Sequence, residues 1–508
     1  MPEFIEEKKM KLSRILENLK FEILKSGVGN DVNVLDIVYD SRKATKDTLF
    51  VCLVGFTTDG HKYAKNAYES GCRLFMVEKP IDVGTDATVI KVANTRAALA
   101  HISANFFEHP SKKLKLIGVT GTKGKTTTTH IIKHVLDSVG IKTGLIGTVG
   151  ATWGNKNIET INTTPESYEI QKILAEMVCD DIEIVAVEVS SLGVKHNRID
   201  ALEFYCGIFT NISKDHIGGL EHENFEEYYF WKKEFFNRCN TAIACIDDPS
   251  AINMVSAVKG EKLYYGLSKS ATVKASSFTQ TKSADFLGVI FDFSIENKSY
   301  KNYEISLPGK YSVLNALASI SVLHLLGIDI ETARSGFKTI SVKGRAEIVY
   351  MDENFSIIID YAHNGTSFEN LVKTMKGYNP KRIISLFGTV GGRAQNRREE
   401  LGRLSARISD FTIITEDEPN FEPAMQICDE IESFLLLENP NAKYVKIADR
   451  GNAILFGIEM LEPGDMLLLC GKGHETTMLR NGVHMPFKEI DYVREGLKRR
   501  NITTGIRE

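Results

Sequence analysis

The segment from residue 113 to residue 140 constrains the fold more than any other part of the chain. It reads KLKLIGVTGTKGKTTTTHIIKHVLDSVG, an apolar strand-like run that enters a glycine-rich turn and leaves it as an amphipathic helix. Glycines let backbone amides approach an anion closely, and the helix N-terminus adds a favourable dipole. This order predicts a parallel α/β sheet whose loop binds nucleotide phosphates.

The spacing within this loop departs by one residue from the usual phosphate-loop pattern. The first glycine is expected at position 119, where the chain has Val119, and Gly118 stands one residue early. Lys125 is placed to reach the β- and γ-phosphates, and the Thr126 hydroxyl is placed to bind magnesium. The structural alternative is a glycine-rich turn with an exposed lysine, but the flanking strand and helix favour the nucleotide.

Length and pattern predict a chain of three domains. With 508 residues, it is longer than one hydrophobic core usually accommodates. Residues 1–110 are typical of a small mixed domain, and residues 111–342 of a parallel sheet with an antiparallel annex near 273–307. Residues 343–508 are typical of a second doubly wound α/β domain. A starting helix is predicted from one apolar face, which is formed by Met10, Leu12, Ile15, Leu16 and Leu19.

Composition and charge exclude several classes of protein. The hydrophobic fraction is 43% and the charged fraction is 25%, as in ordinary globular chains, and the net charge of −4 argues against nucleic-acid binding by charge alone. No run approaches the about 18 apolar residues of a membrane span, and the charged N-terminus lacks a signal-peptide core. We therefore expect a cytoplasmic protein without membrane insertion. Its eight scattered cysteines are expected to be reduced thiols, mostly buried.

Charged residues also follow two predicted strands. Glu188 ends the apolar run IEIVAVEVSS, and Asp215-His216 follows FTNIS. Beside a phosphate loop, a carboxylate at a strand end is a candidate magnesium ligand. Taken alone, Glu188 would be a solvated strand-end acid, and His216 would be a hydrogen-bonded structural histidine.

The loop pattern G-T-x-G-K-T-T-T after a strand resembles the phosphate loop of the Mur ligases, the ATP-dependent amide-bond formers of peptidoglycan precursor synthesis. Folylpolyglutamate and cyanophycin synthetases are their relatives. The resemblance implies an N-terminal UDP-sugar-binding domain at 1–110 and a central ATP-binding domain with a parallel sheet at 111–342. It implies a C-terminal Rossmann-like domain, binding the incoming amino acid, at 343–508. Lys123 stands where asparagine is frequent.

The helix segment around Lys232 resembles a second family pattern, Y-x-x-A-K-x-x-x-F, whose lysine is carbamylated by carbon dioxide. Tyr228 lies four residues before Lys232 and Phe236 four after, while Trp231 replaces the alanine. A carbamate converts a cation into an anionic oxygen donor for magnesium. Lys233 is the alternative if the register slips, and residues alone would predict an amphipathic helix with surface lysines.

The resemblance therefore implies a full set of nucleotide and metal residues. The implied ATP-binding residues are Gly121, Thr122, Lys123, Gly124, Lys125, Thr126, Thr127, Asn315, Arg345 and His363. The implied catalytic residues are Lys125, Lys232 and His216, and the implied metal ligands are Thr126, Glu188, His216 and carbamylated Lys232.

Further motifs resemble the family members that add the third residue of the stem peptide. Asp40-Ser41-Arg42 resembles the UDP-sugar-binding end, and the segment 471–475, GKGHE, resembles a motif of the C-terminal domain. Leu192 and His196 stand where many members have histidine and glutamine. The residues implied to bind the UDP-muramoyl peptide are Ser41, Arg42, Thr163, Thr164, Ser190, His196 and Arg198.

The implied function is ATP-dependent addition of a third residue to UDP-N-acetylmuramoyl-L-Ala-D-Glu through an acyl phosphate. The implied cofactors are ATP, Mg²⁺ and carbon dioxide as a carbamate on Lys232. The only partners expected are the small-molecule substrates, and the expected state is a monomer.

The loop 417–420, DEPN, bears on which amino acid is added. Diaminopimelate-adding members read D-N-P-R there, and the arginine binds the distal carboxylate, so Asn420 favours L-lysine. Glu418 and Glu475 are available for a side-chain ammonium. Ornithine stays open, as does replacement of the missing arginine by Arg393 or Arg397. The residues implied to bind the amino acid are Arg393, Asp417, Glu418, Asn420, Gly471 and Glu475.

Two rival functions deserve comparison. One is another amide ligase of the superfamily, such as a polyglutamate or cyanophycin synthetase, and the D-S-R segment of the front domain argues against it. The other is a nucleotide-binding regulator that has lost catalysis. Against the regulator stands the joint retention of Lys125, Thr126, Glu188, His216, Lys232 and Glu475.

Overall fold

The computed structural model describes residues 9–29, 32–55, 58–214, 217–218, 221–283, 285–392 and 395–507. These described residues form two compact units, one made of those up to 272 together with 318–329, and the other of those from 273 to 317 together with those from 330 onward.

The N-terminal part of the first unit is a five-stranded sheet in the order β2-β7-β6-β5-β4, parallel except for β2. Its elements are β1 (Met10–Lys11), α1 (Leu12–Ile15), β2 (Glu22–Lys25), β3 (Asn33–Val34), β4 (Asp36–Val38), β5 (Thr48–Val51), α2 (Ala64–Glu69), β6 (Leu74–Val77), β7 (Thr88–Lys91) and α3 (Thr95–Phe106). Alternation along β5 sends Leu49 to the core shared with α3 and Phe50 to the core shared with α2.

The predicted starting helix is wrong in extent. Met10 and Lys11 pair with Val34 and Asn33 as a strand, and α1 is a single turn that ends at Ile15. The apolar residues nevertheless share one core, with Leu19 partly buried against it, because burial does not require that all of them share one helix.

The central part of the first unit is a sheet in the order β11-β10-β9-β12-β8-β13-β14-β15, parallel from β9 to β15. Its elements are β8 (Lys115–Thr120), α4 (Lys125–Ser138), β9 (Thr143–Gly147), β10 (Gly150–Trp153), β11 (Lys156–Ile158), α5 (Ser167–Cys179), β12 (Ile184–Glu188), α6 (Ser191–Lys195), β13 (Phe204–Phe209), α7 (Phe225–Glu234), β14 (Cys239–Cys245), α8 (Ala251–Met254) and β15 (Lys262–Gly266). Because β8 lies between β12 and β13, the glycine-rich loop has the carboxyl ends of both strands beside it.

The second unit begins with the predicted antiparallel annex, which is confirmed. Strands β16 (Val273–Lys282), β17 (Leu287–Ile295) and β18 (Lys298–Ile305) pair antiparallel, and Phe291, Phe293 and Tyr303 pack on one face. Helices α9 (Lys310–Leu325) and α10 (Arg334–Thr339) follow.

The rest of the second unit is a six-stranded sheet in the order β19-β20-β24-β21-β22-β23, parallel except for β19. Its elements are β19 (Glu347–Met351), β20 (Ser356–Asp360), α11 (Gly365–Lys376), β21 (Arg382–Phe387), α12 (Asn396–Ile408), β22 (Phe411–Ile414), α13 (Ala424–Glu438), β23 (Tyr444–Lys446), α14 (Arg450–Glu459), β24 (Asp465–Cys470), β25 (Thr477–Arg480), β26 (Val483–Pro486) and α15 (Glu489–Arg499). One core packs α11, α12 and α13 on one face, and another packs α14 and α15 on the other. This is the predicted second doubly wound domain.

Two expectations from composition can be compared with the structure. All eight cysteines are free thiols, and all but Cys179 are buried. Within the described ranges, no helix combines the length and the apolar character needed to cross a membrane.

Candidate functional site

The glycine-rich loop wraps the start of α4. Gly121 and Gly124 have φ of +149° and +89°, and a Cβ on Gly121 would lie 1.9 Å from the Thr210 hydroxyl. The loop is tied to the segment after β13, since the amide of Lys123 donates to Asn211 Oδ1 at 3.1 Å. Lys125 Nζ folds back onto the carbonyls of Gly121 and Thr122, at 2.8 and 3.1 Å. Such a loop presents amides and a lysine to an anion.

Glu188, at the end of β12, links this loop to the neighbouring strands. Its fully buried carboxylate accepts hydrogen bonds from the Thr126 hydroxyl at 2.9 Å, the Thr148 amide at 2.9 Å and the Thr148 hydroxyl at 3.1 Å. Gly147 is required here, because a Cβ would lie 2.2 Å from Glu188 Oε1. Glu188 is therefore a buried, hydrogen-bonded acid and not a solvated one.

Lys232 and Lys233 occupy different environments on α7. Lys232 is only 1% exposed, and its Nζ donates to the Gly121 carbonyl at 2.9 Å and lies 4.6 Å from the centre of the Tyr228 ring. Lys233 is a surface residue that bonds Asn253 at 2.9 Å. The lysine at the phosphate loop is thus Lys232, which is not the surface lysine that an isolated amphipathic helix would predict.

The predicted peptide-binding segments also meet at Glu188. The Thr148 hydroxyl lies 3.0 Å from that of Thr163, and the Thr164 hydroxyl donates to the Glu188 carbonyl at 2.8 Å. Ser190 caps α6, with its hydroxyl accepting from the Gly193 amide at 3.0 Å. Thr163, Thr164 and Ser190 are thus brought together around Glu188, whose carboxylate also accepts from Thr126.

Arg198 and His196 are more enclosed than the sequence indicates. The Arg198 guanidinium bonds Glu166 at 2.8 and 2.9 Å and the Thr164 carbonyl at 3.0 Å, and Glu166 also pairs with Arg96. Burial, followed by the charge of Arg96, lowers the pKa of His196 to about 4. His196 is consequently neutral at physiological pH.

Ser41 and Arg42 form a short 3₁₀ turn after β4. The guanidinium of Arg42 pairs with Asp40 at 2.7 Å and its side chain is 88% exposed. The Arg42 hydrogen bond lowers the pKa of Asp40 to about 2. Next to this turn, Tyr39 donates a hydrogen bond to Glu169 of α5, so the turn is anchored beside the central sheet.

In the second unit, Arg345 and His363 converge on Tyr361. The Arg345 guanidinium lies 4.8 Å from the Tyr361 ring centre, and His363 Nδ1 lies 2.8 Å from the Tyr361 carbonyl. Gly344 has a φ of +64°, and a Cβ there would lie 2.3 Å from the His474 amide nitrogen. The chain therefore passes close enough to the GKGHE loop that only glycine fits.

A cavity of about 240 Å³ opens beside Tyr361. Its lining comprises Tyr361, His363, Val390, Arg397, Asp417, Glu418, Gly471 and Glu475. Burial raises the pKa of Asp417 and of Glu475. Four predicted amino-acid residues thus share one cavity with His363.

Lys472 is fully buried and pairs with two acids that line this cavity, which changes the role expected for them. Its Nζ pairs with Glu475 at 2.6 Å and with Glu418 at 3.2 Å. Glu418 and Glu475, which the sequence predicts to bind an incoming ammonium, are therefore partly neutralised by Lys472.

Asn420 does not line the cavity. Its amide donates to the Leu479 carbonyl at 3.0 Å, and its side-chain oxygen accepts from the Gly482 amide at 2.8 Å. Residue 420 is committed to the β25–β26 hairpin, while Arg397 on α12 faces the cavity.

The remaining predicted site residues fall into two groups, those that the structure describes and those that it does not. Thr127 is half-buried in the first turn of α4 and Asn315 is half-buried on α9. His216, its neighbour Asp215, and Arg393 lie outside the described residues. Among the residues that are described, no group of three His, Cys, Asp or Glu side chains is arranged to hold a metal ion.

Sequence reasoning missed Thr148 and the ion pairs of Lys472. Arg397, one of the two arginines left open as a replacement at the amino-acid site, does line the cavity. Thr148 directly follows the end of strand β9, and this position was the only feature of the sequence that indicated a site residue. The pairing of Lys472 depends on the fold of two distant loops, so no local pattern predicts it.

Three family models match the chain. They describe the catalytic domain of the Mur ligase family at residues 34–107, the Mur ligase middle domain at residues 119–323, and the glutamate ligase domain at residues 344–473.

The chain is also similar to full-length relatives. It is 36% identical over 495 residues to a protein of Clostridium perfringens named UDP-N-acetylmuramoyl-L-alanyl-D-glutamate--2,6-diaminopimelate ligase, covering 95% of this chain and 99% of the relative. A solved structure with the same name has a TM-score of 0.69 at 22% identity and covers 97% of this chain and 99% of its own. MurF ligase from Thermotoga maritima in complex with ADP has a TM-score of 0.60 at 18% identity, covering 91% and 97%.

The folds match the predicted three-domain architecture, although the exact boundaries at 110 and 342 remain predictions. Together with a phosphate loop joined to an acidic strand end, these matches establish that the chain belongs to the Mur ligase family of ATP-dependent amide-forming ligases.

Proposed function

We propose that this ligase adds the third residue to UDP-N-acetylmuramoyl-L-Ala-D-Glu, joining the γ-carboxylate of D-Glu to the α-amine of an amino acid. The observation that carries this proposal is the hydrogen-bonded chain from Thr126 through Glu188 and Thr148 to Thr163. It sets the phosphate loop beside the segment that resembles the peptide-binding motif. The names of the full-length relatives support the same donor substrate.

ATP supplies the phosphoryl group that makes the carboxylate reactive toward an amine. The loop fits a triphosphate, because its glycines have backbone conformations that expose amides and the helix α4 begins at Lys125. A carboxylate and a phosphate 4 Å apart repel by about 4 kcal/mol at an effective dielectric near 20. Lys125 offsets this repulsion by exchanging its contacts with loop carbonyls for contacts with phosphate oxygens.

The residues proposed for the remaining nucleotide contacts fall into two groups. Gly121, Thr122, Lys123 and Gly124 belong to the loop and Thr126 and Thr127 to the first turn of α4, while Asn315, Arg345 and His363 are the residues proposed for the adenosine and phosphates. Clustering of Arg345 and His363 around Tyr361 supports their acting together.

Oxygen donors for magnesium are proposed at Thr126 and Glu188, which are in direct contact. We further propose that carbon dioxide carbamylates Lys232, and that His216 provides another metal contact. Lys232 supports the carbamate by its position, since it is buried at the Gly121 carbonyl where Lys125 also binds. Two ammonium groups at one carbonyl repel each other, and conversion of Lys232 to a carbamate removes one of the two positive charges.

For the UDP-muramoyl dipeptide, the proposed contacts run along the first unit. They are Ser41, Arg42, Thr163, Thr164, Ser190, His196 and Arg198. Arg42 is exposed and able to meet a phosphate, whereas Arg198 must share its guanidinium with Glu166. A cytoplasmic location and a monomeric state remain predictions.

The amino acid is proposed to enter the cavity lined by Arg397, Asp417, Glu418, Gly471 and Glu475, with Arg393 as a further candidate. Arg397 offers one counter-charge for a carboxylate, and the three acids more than balance Lys472 and accept an ammonium. The full-length relatives are named as diaminopimelate ligases, so we propose diaminopimelate as the first candidate. The L-lysine expected from Asn420 becomes the second candidate, because Asn420 is not among the residues that line this cavity.

The test is phosphate release with the UDP-dipeptide and a panel of L-lysine, ornithine and meso-diaminopimelate. Release that depends on the dipeptide and on one of these amino acids supports the proposed function, and the preferred amino acid decides between the two candidates. No release with any member of the panel would defeat the proposal.

A further inference from the structure

Arg450 is a fully buried arginine that none of the site motifs includes. It begins α14, and its guanidinium donates Nη2 to the Cys470 carbonyl at 2.8 Å and Nη1 to the Glu416 carbonyl at 3.2 Å. Nε and Nη2 donate to Glu489 Oε1 at 2.9 and 2.7 Å. One side chain therefore holds two separate backbone segments at once.

The two carbonyls belong to the residues just before the cavity-lining loops. Glu416 precedes Asp417 and Glu418, and Cys470 precedes Gly471 and the loop to Glu475. Strands β22 and β24 are not neighbours in the sheet, since β21 lies between them. Arg450 consequently bridges strand ends that the backbone ladder does not join directly.

The burial of this cation is compensated by the carboxylate of Glu489, which is itself buried and whose Oε1 accepts hydrogen bonds from both Nε and Nη2. The carboxylate of Glu416 is paired instead with Arg480, whose Nε donates to it at 3.1 Å, so Arg450 meets Glu416 through the backbone carbonyl. A planar guanidinium can satisfy a carboxylate and two carbonyls together, which a lysine ammonium cannot match in geometry.

We propose that Arg450 is a positioning residue for the incoming amino acid, acting by clamping the Glu416 and Cys470 carbonyls so that Asp417, Glu418 and Glu475 share one cavity. The proposal rests on the assignment of that cavity to the amino acid under Proposed function. Arg450 itself does not line the cavity, so its effect is exerted through the two loops.

The main test is the double variant Arg450→Met with Glu489→Leu. Replacing a buried ion pair by apolar side chains of similar size is often neutral for stability, so the protein is expected to fold with a Tm near that of the wild type. The KM for the amino acid is expected to rise by about tenfold or more, because the cavity acids are no longer held in register. The KM values for ATP and for the UDP-dipeptide are expected to change by less than about twofold.

Two matched controls separate positioning from general stability. Glu489→Gln keeps an oxygen acceptor for Arg450 but removes the negative charge, so Tm is expected to fall. The two carbonyl contacts of Arg450 stay in place, so the KM for the amino acid is expected to stay unchanged. Arg382→Lys weakens the ion pair with Asp465, which joins the amino ends of β21 and β24, away from the cavity-lining loops at their carboxyl ends. It is expected to lower Tm and to leave the same KM unchanged.

The inference is overturned if the folded double variant retains the wild-type KM for the amino acid, if all three KM values rise together, or if the controls raise the amino-acid KM equally. Should the double variant not fold, Arg450→Lys carries the test, since it keeps the charge beside Glu489 but offers a single nitrogen. Wild-type enzyme inactive with every amino acid would instead refute the proposed function.

Discussion

The hydroxyl of Thr126 donates a 2.9 Å hydrogen bond to the carboxylate of Glu188, joining the first turn after the phosphate loop to the end of the adjacent parallel strand. Because Glu188 also accepts from the backbone and hydroxyl of Thr148, this single buried acid organises three segments. Removing it should affect both chemistry and stability.

We expect Glu188→Ala to lower kcat by about a hundredfold or more, because the proposed magnesium loses a ligand. It should also lower the free energy of unfolding by about 1–3 kcal/mol, because buried donors of Thr126 and Thr148 lose their acceptor. Steady-state phosphate release and urea unfolding measure the two effects. The control is Thr163→Val, which removes only the last hydroxyl in the series of hydrogen bonds from Thr126 to Thr163. Its free energy of unfolding should stay within about 1 kcal/mol of the wild-type value.

Lys232→Ala should abolish most turnover, whereas Lys233→Ala should leave it close to wild type. The physical reason is position, since Lys232 is buried at the Gly121 carbonyl and Lys233 bonds Asn253 on the surface. Labelled bicarbonate and carbon-13 NMR of the wild-type protein should show a carbamate signal that Lys232→Ala removes. Equal activity of the two variants would contradict both the proposed carbamate and its register.

Glu169 predicts a pH dependence of stability. Burial raises its pKa to about 7, from an ordinary value of 4.5, so the folded state holds a proton that the unfolded chain releases. The resulting stabilisation is complete below about pH 4.5 and is lost as pH rises through about 7. Relative to Glu169→Gln, the wild type should therefore lose about 2–3 kcal/mol of stability between pH 5 and pH 8. Tm values of both proteins across this range test it, and parallel curves would contradict it.

Gly344→Ala should destabilise the protein more than Gly140→Ala. Both glycines have positive φ, +64° and +85°, but a Cβ at 344 would lie 2.3 Å from the His474 nitrogen while a Cβ at 140 meets nothing within 4 Å. We expect a loss of about 1 kcal/mol at Gly140 from backbone strain alone and about 2–4 kcal/mol at Gly344. Thermal unfolding of the two variants measures the difference, and equal losses would rule out the close contact.

Asn420→Arg tests amino-acid specificity. The variant loses the 2.8 Å bond to Gly482 and places a larger residue at a φ of +53°, so Tm should fall. Because Asn420 does not line the cavity, the relative use of diaminopimelate and L-lysine should change by less than about twofold. A marked gain of diaminopimelate use would instead support the carboxylate fork expected from the sequence. Arg397→Gln is the matched comparison and should raise the KM for either amino acid by about tenfold. A wild-type preference for diaminopimelate that Arg397→Gln leaves intact would contradict the cavity assignment.

Local sequence was sufficient for the features whose physics is local. A strand, a glycine-rich turn and a threonine-rich helix predict a phosphate loop, because positive φ at Gly121 and Gly124 and the helix dipole both follow from a short segment. Alternating apolar residues predicted β16–β18, because the side-chain period of a strand is two. The predicted starting helix was wrong in extent because a contact distant in sequence decided the local structure. Met10 pairs with Val34 in a strand, and this pairing outweighs the amphipathic pattern.

The sequence by itself determined the fold class, the loop chemistry and the family resemblance, because each depends on neighbouring residues or on a motif. Only the tertiary structure decided that Lys472 pairs with both Glu418 and Glu475, that Asn420 belongs to a hairpin, and that Arg450 joins two loops. Those pairings bring together residues up to 62 positions apart, and burial sets their electrostatics. A charge placed in a sequence has no fixed partner until the chain folds around it.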